Sequence, residues 1–160
     1  MTEDARPANA GVRFPPPLVF IIALVAAWAV DRYVLALPLP IHGGILFDTL
    51  ATVLLIAGLS LAFWSIATFR TAHTAVIPNR SASTLVTWGP FRYSRNPMYI
   101  AMSVAYIGIA LFIYSAWSFI GLVFVLIVIY TTVIRREERY LTSAFGRDYT
   151  EYCSRVGRWF

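Results

Sequence analysis

Four apolar stretches, Leu18–Leu37, Ile45–Phe69, Pro97–Tyr114 and Phe119–Ile134, dominate the sequence. The first two are long enough to cross ~30 Å of hydrocarbon at a rise of ~1.5 Å per residue. The third and fourth, at roughly 17 residues, reach ~26 Å. In lipid the backbone must satisfy its own polar groups, so runs of this kind fold as helices. With 59% hydrophobic and only 13% charged residues, the chain lies outside the soluble balance of about half and a quarter. The expected fold is therefore all-α. A single domain over 1–160 carries four transmembrane helices, at 18–37, 45–69, 97–114 and 119–134, with spans three and four as a helical hairpin.

The segments between the spans are distinctive. Residues 1–14 read as a loose polar tail before Pro15-Pro16-Pro17 stiffens the approach to span one. Ala27-Trp28-Ala29 has the small-residue spacing of a signal-peptidase site, but Tyr33–Leu37 continues the apolar run, so the span is expected to be retained. Asp31 and Arg32 either pair or sit with Tyr33 at the interface. The Pro/Gly-rich segment from Leu37 is a loop, and His42 in it reads as a solvated residue. Gly58-Leu59-Ser60 in span two offers either close helix packing or a notch facing a ligand. Residues 70–94 form a long polar connection of the sort that usually serves function. Ser115-Ala116-Trp117-Ser118 is a tight turn. Leu141, Phe145, Tyr149, Tyr152 and Val156 recur at helical spacing among arginines, which predicts an amphipathic interfacial helix over 140–156.

All 13 basic residues are arginine. Two precede span one, four lie between spans two and three, and six follow span four; only Arg32 falls near the other side. The positive-inside bias therefore places both termini and the long loop in the cytoplasm. The excess over 8 acidic residues speaks to topology and anionic headgroups rather than nucleic acid. A single cysteine, Cys153, excludes an internal disulfide, and two distant histidines argue against a metal site.

The stretch Thr87-Trp88-Gly89-Pro90-Phe91-Arg92-Tyr93-Ser94-Arg95-Asn96-Pro97-Met98-Tyr99 is polar and shaped between two apolar runs. Asn96-Pro97 is a helix start: asparagine can cap free N–H groups, and proline at the first position loses no needed donor. The positive helix end suits an anion such as a carboxylate. Because spans three and four are antiparallel and of similar length, Glu137 and Glu138 return to the level of Arg95, Asn96 and Tyr99. Adjacent carboxylates repel each other, and a structural role would need only one. Together these groups suit a ligand bearing both a carboxylate and cationic groups.

These residues carry a resemblance. Leu85 to Tyr99, followed by Glu137-Glu138, Leu141, Phe145-Gly146, Tyr149 and Tyr152, resembles the isoprenylcysteine carboxyl methyltransferase family, with Phe69-Arg70, Thr74 and Pro78 extending it upstream. The chain is also similar to the related phospholipid N-methyltransferases, in Asn96-Pro97-Met98-Tyr99, in Glu137-Glu138 and weakly in Gly58-Leu59-Ser60. Ser60 stands where those enzymes have a second glycine, and Asn96 where many carboxyl methyltransferases have histidine.

The resemblance implies methyl transfer from S-adenosylmethionine to a lipophilic or lipid acceptor that enters from the bilayer. It implies that Glu137 and Glu138 hold the cofactor's ammonium or ribose hydroxyls, and that Arg95 with the Asn96-Pro97 helix start holds its carboxylate. Tyr99 and Tyr106, seven apart on one helix face, would line the adenosine or sulfonium pocket, with Gly58 and Ser60 contributing; Tyr106 equally suits a lipid-facing or packing aromatic. Arg92, Arg136 or His73 would position the acceptor. A sterol-reductase-like enzyme using NADPH and a non-catalytic membrane scaffold remain the rival readings.

Overall fold

The computed structural model describes residues 11, 14–40, 44–74 and 83–160; His42, Pro78 and Arg80 lie outside them. Among these residues the fold is all-α. Helices α1 (Pro16–Tyr33) and α2 (Ile45–Thr71) are followed by a 3-10 turn (Gly89–Arg92) and α3 (Pro97–Ile113). Next come α4 (Ala116–Ile129), a π-helical turn (Tyr130–Ile134), α5 (Arg135–Phe145) and α6 (Arg147–Arg155). Three helices are long and apolar enough to cross a membrane: Pro16–Tyr33, Ile45–Thr71 and the continuous Ala116–Phe145. Helix α3, with 17 residues, is shorter. The chain is an integral, multi-pass membrane protein. Its outward faces, including Ile22, Val53, Phe63 and Phe124, are exposed and apolar, as surfaces that meet lipid must be.

Helix α1 starts with proline in its first turn and ends four residues earlier than the apolar pattern predicts. Asp31 does not pair with Arg32. Its Oδ1 accepts from the Leu37 N–H (2.9 Å) and the Ser115 hydroxyl (2.7 Å), so the chain doubles back before the apolar run is finished. Leu39 N–H then donates to Tyr114 O, and Ala116 N–H to Leu37 O, tying this segment to the turn before α4. Arg32 lies over the Tyr33 ring instead.

The expected hairpin of spans three and four is connected as predicted but packed differently. Helix α3 lies antiparallel along α2, while α4 leans mainly on α1. Glycine explains the preference. A Cβ on Gly58 would sit 2.5 Å from the Ala105 nitrogen, and one on Gly108 would sit 2.7 Å from the Leu55 nitrogen. Two such dents let the α2 and α3 backbones touch, as small residues do between helices in membranes. The opposite face of α3 carries Tyr99 and Tyr106 into the core with Phe20, Val125, Ile129 and Ile134.

The single helix expected over 140–156 is broken at Gly146, whose φ of 52° suits glycine alone. The aromatic face of α6 does not lie open for a membrane surface. Tyr149 and Tyr152 are buried, and the Tyr152 hydroxyl donates to the Phe91 carbonyl (2.6 Å).

Candidate functional site

The polar stretch before α3 is held from both sides. Gly89, at φ 61°, presses on Thr68 of α2, and Phe91 meets Phe69 edge-on. On the other side the Arg95 N–H donates to Gly157 O (3.0 Å), while the Ser94 hydroxyl and Asn96 Nδ2 both donate to Arg158 O (3.2 and 3.0 Å). Pro97 opens α3 as predicted, but Asn96 does not cap it with its side chain. The amide is used to hold the 157–159 segment, and the Asn96 carbonyl accepts from Tyr99 and Ile100.

A charged cluster sits at this helix start. Arg95 Nη1 is 3.3 Å from Glu138 Oε1 and donates to Cys153 Sγ (2.8 Å). Arg158 grips both Glu138 oxygens, Nε to Oε1 at 2.8 Å and Nη2 to Oε2 at 2.9 Å, and lies over the Tyr130 ring. Such a two-pronged, charge-assisted contact is stronger and more directional than a single ion pair. Glu137 is separate. Tyr99 donates to its two oxygens at 3.0 and 3.1 Å, and it has no cationic partner among the described residues. One turn past the apolar run, burial pushes the Glu137 carboxyl up to about 7; the Tyr99 hydrogen bond opposes this, and the Glu138 charge adds to it. Burial likewise holds the Tyr149 and Tyr152 hydroxyls above the usual phenol range, so they stay neutral.

Of the residues singled out in the sequence, the fold brings Arg95, Asn96, Pro97, Tyr99, Glu137 and Glu138 together. The others lie apart. Gly58 faces Ala101 and Ala105, on the side of α3 away from Tyr99, and Ser60 is exposed; close packing, not a notch, is what Gly58 provides. Tyr106 is core: it is 2% exposed, its hydroxyl donates to Ser118 O (2.9 Å), and Phe20 meets its ring. Arg92 is exposed and stacks on Tyr93. Arg136 donates to Gly11 O, and His73 is exposed just beyond α2, its carbonyl accepting from Ser83. Sequence reasoning missed Arg158, Cys153 and Tyr130. No local pattern marks them, because each joins the cluster only through the fold of 147–160 back onto α3 and the π turn. That π turn leads into the helix that carries the paired glutamates, with only Arg135 and Arg136 between, and π turns are frequent at functional sites.

Two groups in the cluster have bonding capacity that the described residues leave unused. Glu137 is a partly buried carboxylate without a cation, and Arg95 Nε is buried without a hydrogen-bond partner among the described residues. A carboxylate and a guanidinium N–H, both near one helix start, fit a zwitterionic, amino-acid-like group.

Over 86 residues the chain is 33% identical to protein-S-isoprenylcysteine O-methyltransferase of Saccharomyces cerevisiae, covering 54% of this chain and 36% of that one. It is 33% identical over 84 residues to the cobalt-zinc-cadmium resistance protein CzcN of Cupriavidus metallidurans, covering 52% and 38%. An uncharacterized protein of Haemophilus influenzae is 32% identical over 62 residues, 39% of this chain and 98% of that one. The chain thus spans little more than a third of the first two relatives. No solved structure matches it. Residues 47–148 match the family described as phospholipid methyltransferase, a region running from α2 to α6 and including Arg95, Tyr99 and both glutamates. The chain belongs to this family of membrane methyltransferases.

Proposed function

We propose that this protein is an S-adenosylmethionine-dependent methyltransferase that modifies a lipophilic, membrane-associated acceptor at the cytoplasmic face. The observation that carries the reading is the meeting of Tyr99 with Glu137 and of Arg95 with Glu138 at the start of α3. In this reading α3 crosses the bilayer as a fourth span, and the arginine bias sets the cluster on the cytoplasmic side.

When bound, S-adenosylmethionine supplies an electrophilic methyl carbon on a sulfonium. The chain's own residues supply placement. Glu137, held by the Tyr99 hydroxyl, receives the cofactor's ammonium, and Arg95 Nε with the Pro97 helix start receives its carboxylate. Rigid placement matters most for a displacement that needs nucleophile, carbon and sulfur in line. Arg92, exposed on the 3-10 turn, meets the acceptor as it arrives from the lipid.

Calorimetry on detergent-purified protein tests the cofactor, with S-adenosylmethionine titrated against NADPH. Binding of NADPH alone would favour a reductase, and binding of neither a scaffold. Incubation with methyl-labelled cofactor and a total lipid extract then identifies the acceptor by its label, separating a carboxyl-methylated from an amine-methylated product.

A further inference from the structure

The segment Gly157–Phe160 has no part in the reading above, yet it touches both halves of the cluster. Its backbone holds the start of α3: Gly157 O accepts from the Arg95 N–H, and Arg158 O accepts from Ser94 and Asn96. Its side chains hold the glutamate helix: Arg158 grips Glu138 with two hydrogen bonds and lies 5.3 Å from the centre of the Tyr130 ring. Trp159 packs on the core around Tyr99 and Ile134. A Cβ at Gly157 would collide with the Phe160 carbonyl, so the tight turn depends on glycine. Asn96, which has the chemistry to cap α3, spends its amide on this segment instead.

We propose that Arg158 is a positioning residue of the cofactor site, fixing Glu138 against the start of α3 so that Glu137 is the carboxylate left for the cofactor's ammonium. The inference rests on the cofactor reading above. The two glutamates then have different tasks. Glu138 faces Arg95 at 3.3 Å and Arg158 at 2.8 Å, so its charge is already matched. Among the described residues Glu137 has the Tyr99 hydroxyl and no guanidinium. Because the Arg158 carbonyl is pinned by Ser94 and Asn96, its guanidinium starts from a fixed base, and less freedom is lost in holding the carboxylate. A competing arrangement, in which Arg158 blocks Glu138 until the cofactor displaces it, predicts the opposite effect of removing the side chain.

The test compares wild type with Arg158→Ala, Arg158→Lys, Glu138→Gln and the Arg158→Ala/Glu138→Gln double variant by calorimetric titration of S-adenosylmethionine. Arg158→Ala should weaken binding by about tenfold and Arg158→Lys by about threefold, because an ammonium cannot reproduce the two-pronged grip. The double variant should be no weaker than the worse single variant, since both remove one shared contact. A second readout needs no cofactor: hydrogen exchange at the Arg95 and Asn96 amides should quicken in Arg158→Ala, and methylguanidine should slow it again. Unchanged or tighter binding in Arg158→Ala, or losses that add in the double variant, overturns the proposal. Should Arg158→Ala fail to fold, wild-type affinity in Arg158→Lys overturns it equally. If the wild type itself binds no S-adenosylmethionine, the cofactor reading fails, and the exchange measurement alone decides whether Arg158 fixes the start of α3.

Discussion

The Tyr99 hydroxyl donates to both oxygens of Glu137, at 3.0 and 3.1 Å, joining the first turn of α3 to the helix that returns from α4. Glu138, the next residue, points to guanidiniums instead. Adjacent positions on a helix diverge by ~100°, so two neighbouring acids can serve different partners.

Exchanging each glutamate for glutamine separates these partners. Glu137→Gln should weaken S-adenosylmethionine binding at least tenfold, about 1.4 kcal/mol, without lowering the melting temperature at neutral pH, because glutamine carries no buried charge. Glu138→Gln should lower the melting temperature, by about 1–2 kcal/mol of stability. That is less than for a fully buried pair, because the side chains of Arg95, Arg158 and Glu138 keep 15%, 34% and 20% of their area exposed. Identical profiles for the two variants in calorimetry and thermal melting would remove the division of roles.

The raised Glu137 carboxyl gives a pH dependence with a definite sign. Its value moves from 4.5 to about 7 in the folded protein, so it takes up a proton as pH falls through 7. A cation is held by the carboxylate, so affinity for S-adenosylmethionine should fall as pH drops from about 8 to about 6. The same shift makes this group's contribution to stability decline as pH rises from 4.5 to about 7, because the unfolded chain releases the proton first. Titrations across this range should show the step in wild type and not in Glu137→Gln; a step that survives the substitution belongs to another group.

Arg95 and Arg92 should differ. Arg95→Ala is expected to raise the dissociation constant for S-adenosylmethionine about tenfold or more, with Arg95→Lys recovering part of it. Arg92→Ala should leave cofactor binding close to wild type and lower turnover with a bulky acceptor. Equal losses of cofactor affinity in both variants would point to one shared structural task.

Gly58 is a packing residue in this structure, and its substitution should read as such. Gly58→Leu drives a side chain into the α3 backbone at 2.5 Å and should cost about 1–3 kcal/mol or more, seen as a lower melting temperature in detergent. Ser60→Leu, on the exposed side of α2, should be close to neutral. A stable Gly58→Leu protein that had lost only cofactor affinity would restore the ligand-facing notch.

Reporter fusions check the orientation. Junctions at Pro40 and Ser115 should report the outside, and junctions at Ser83 and after Phe160 the cytoplasm. A cytoplasmic signal at Ser115 would mean that α3 does not span.

The amino-acid sequence by itself determined the helical membrane class, the helix start at Pro97 and the meeting of Arg95 and Tyr99 with the paired glutamates. Each follows from short-range or one-dimensional constraints: hydrocarbon thickness, the missing N–H of proline, and equal path lengths through a bilayer. Only the tertiary structure decided which helix α3 lies against, because that depends on the fit of Gly58 and Gly108 to one particular backbone. The same holds for Tyr106: its seven-residue spacing from Tyr99 fixes a shared face, but the depth of the core and the Ser118 carbonyl decide what that face meets. Arg158 is the clearest case. Nothing near it in sequence marks it, since its partners Asn96 and Glu138 lie 62 and 20 residues away. Contacts over such separations are selected by packing in three dimensions, which no local pattern encodes.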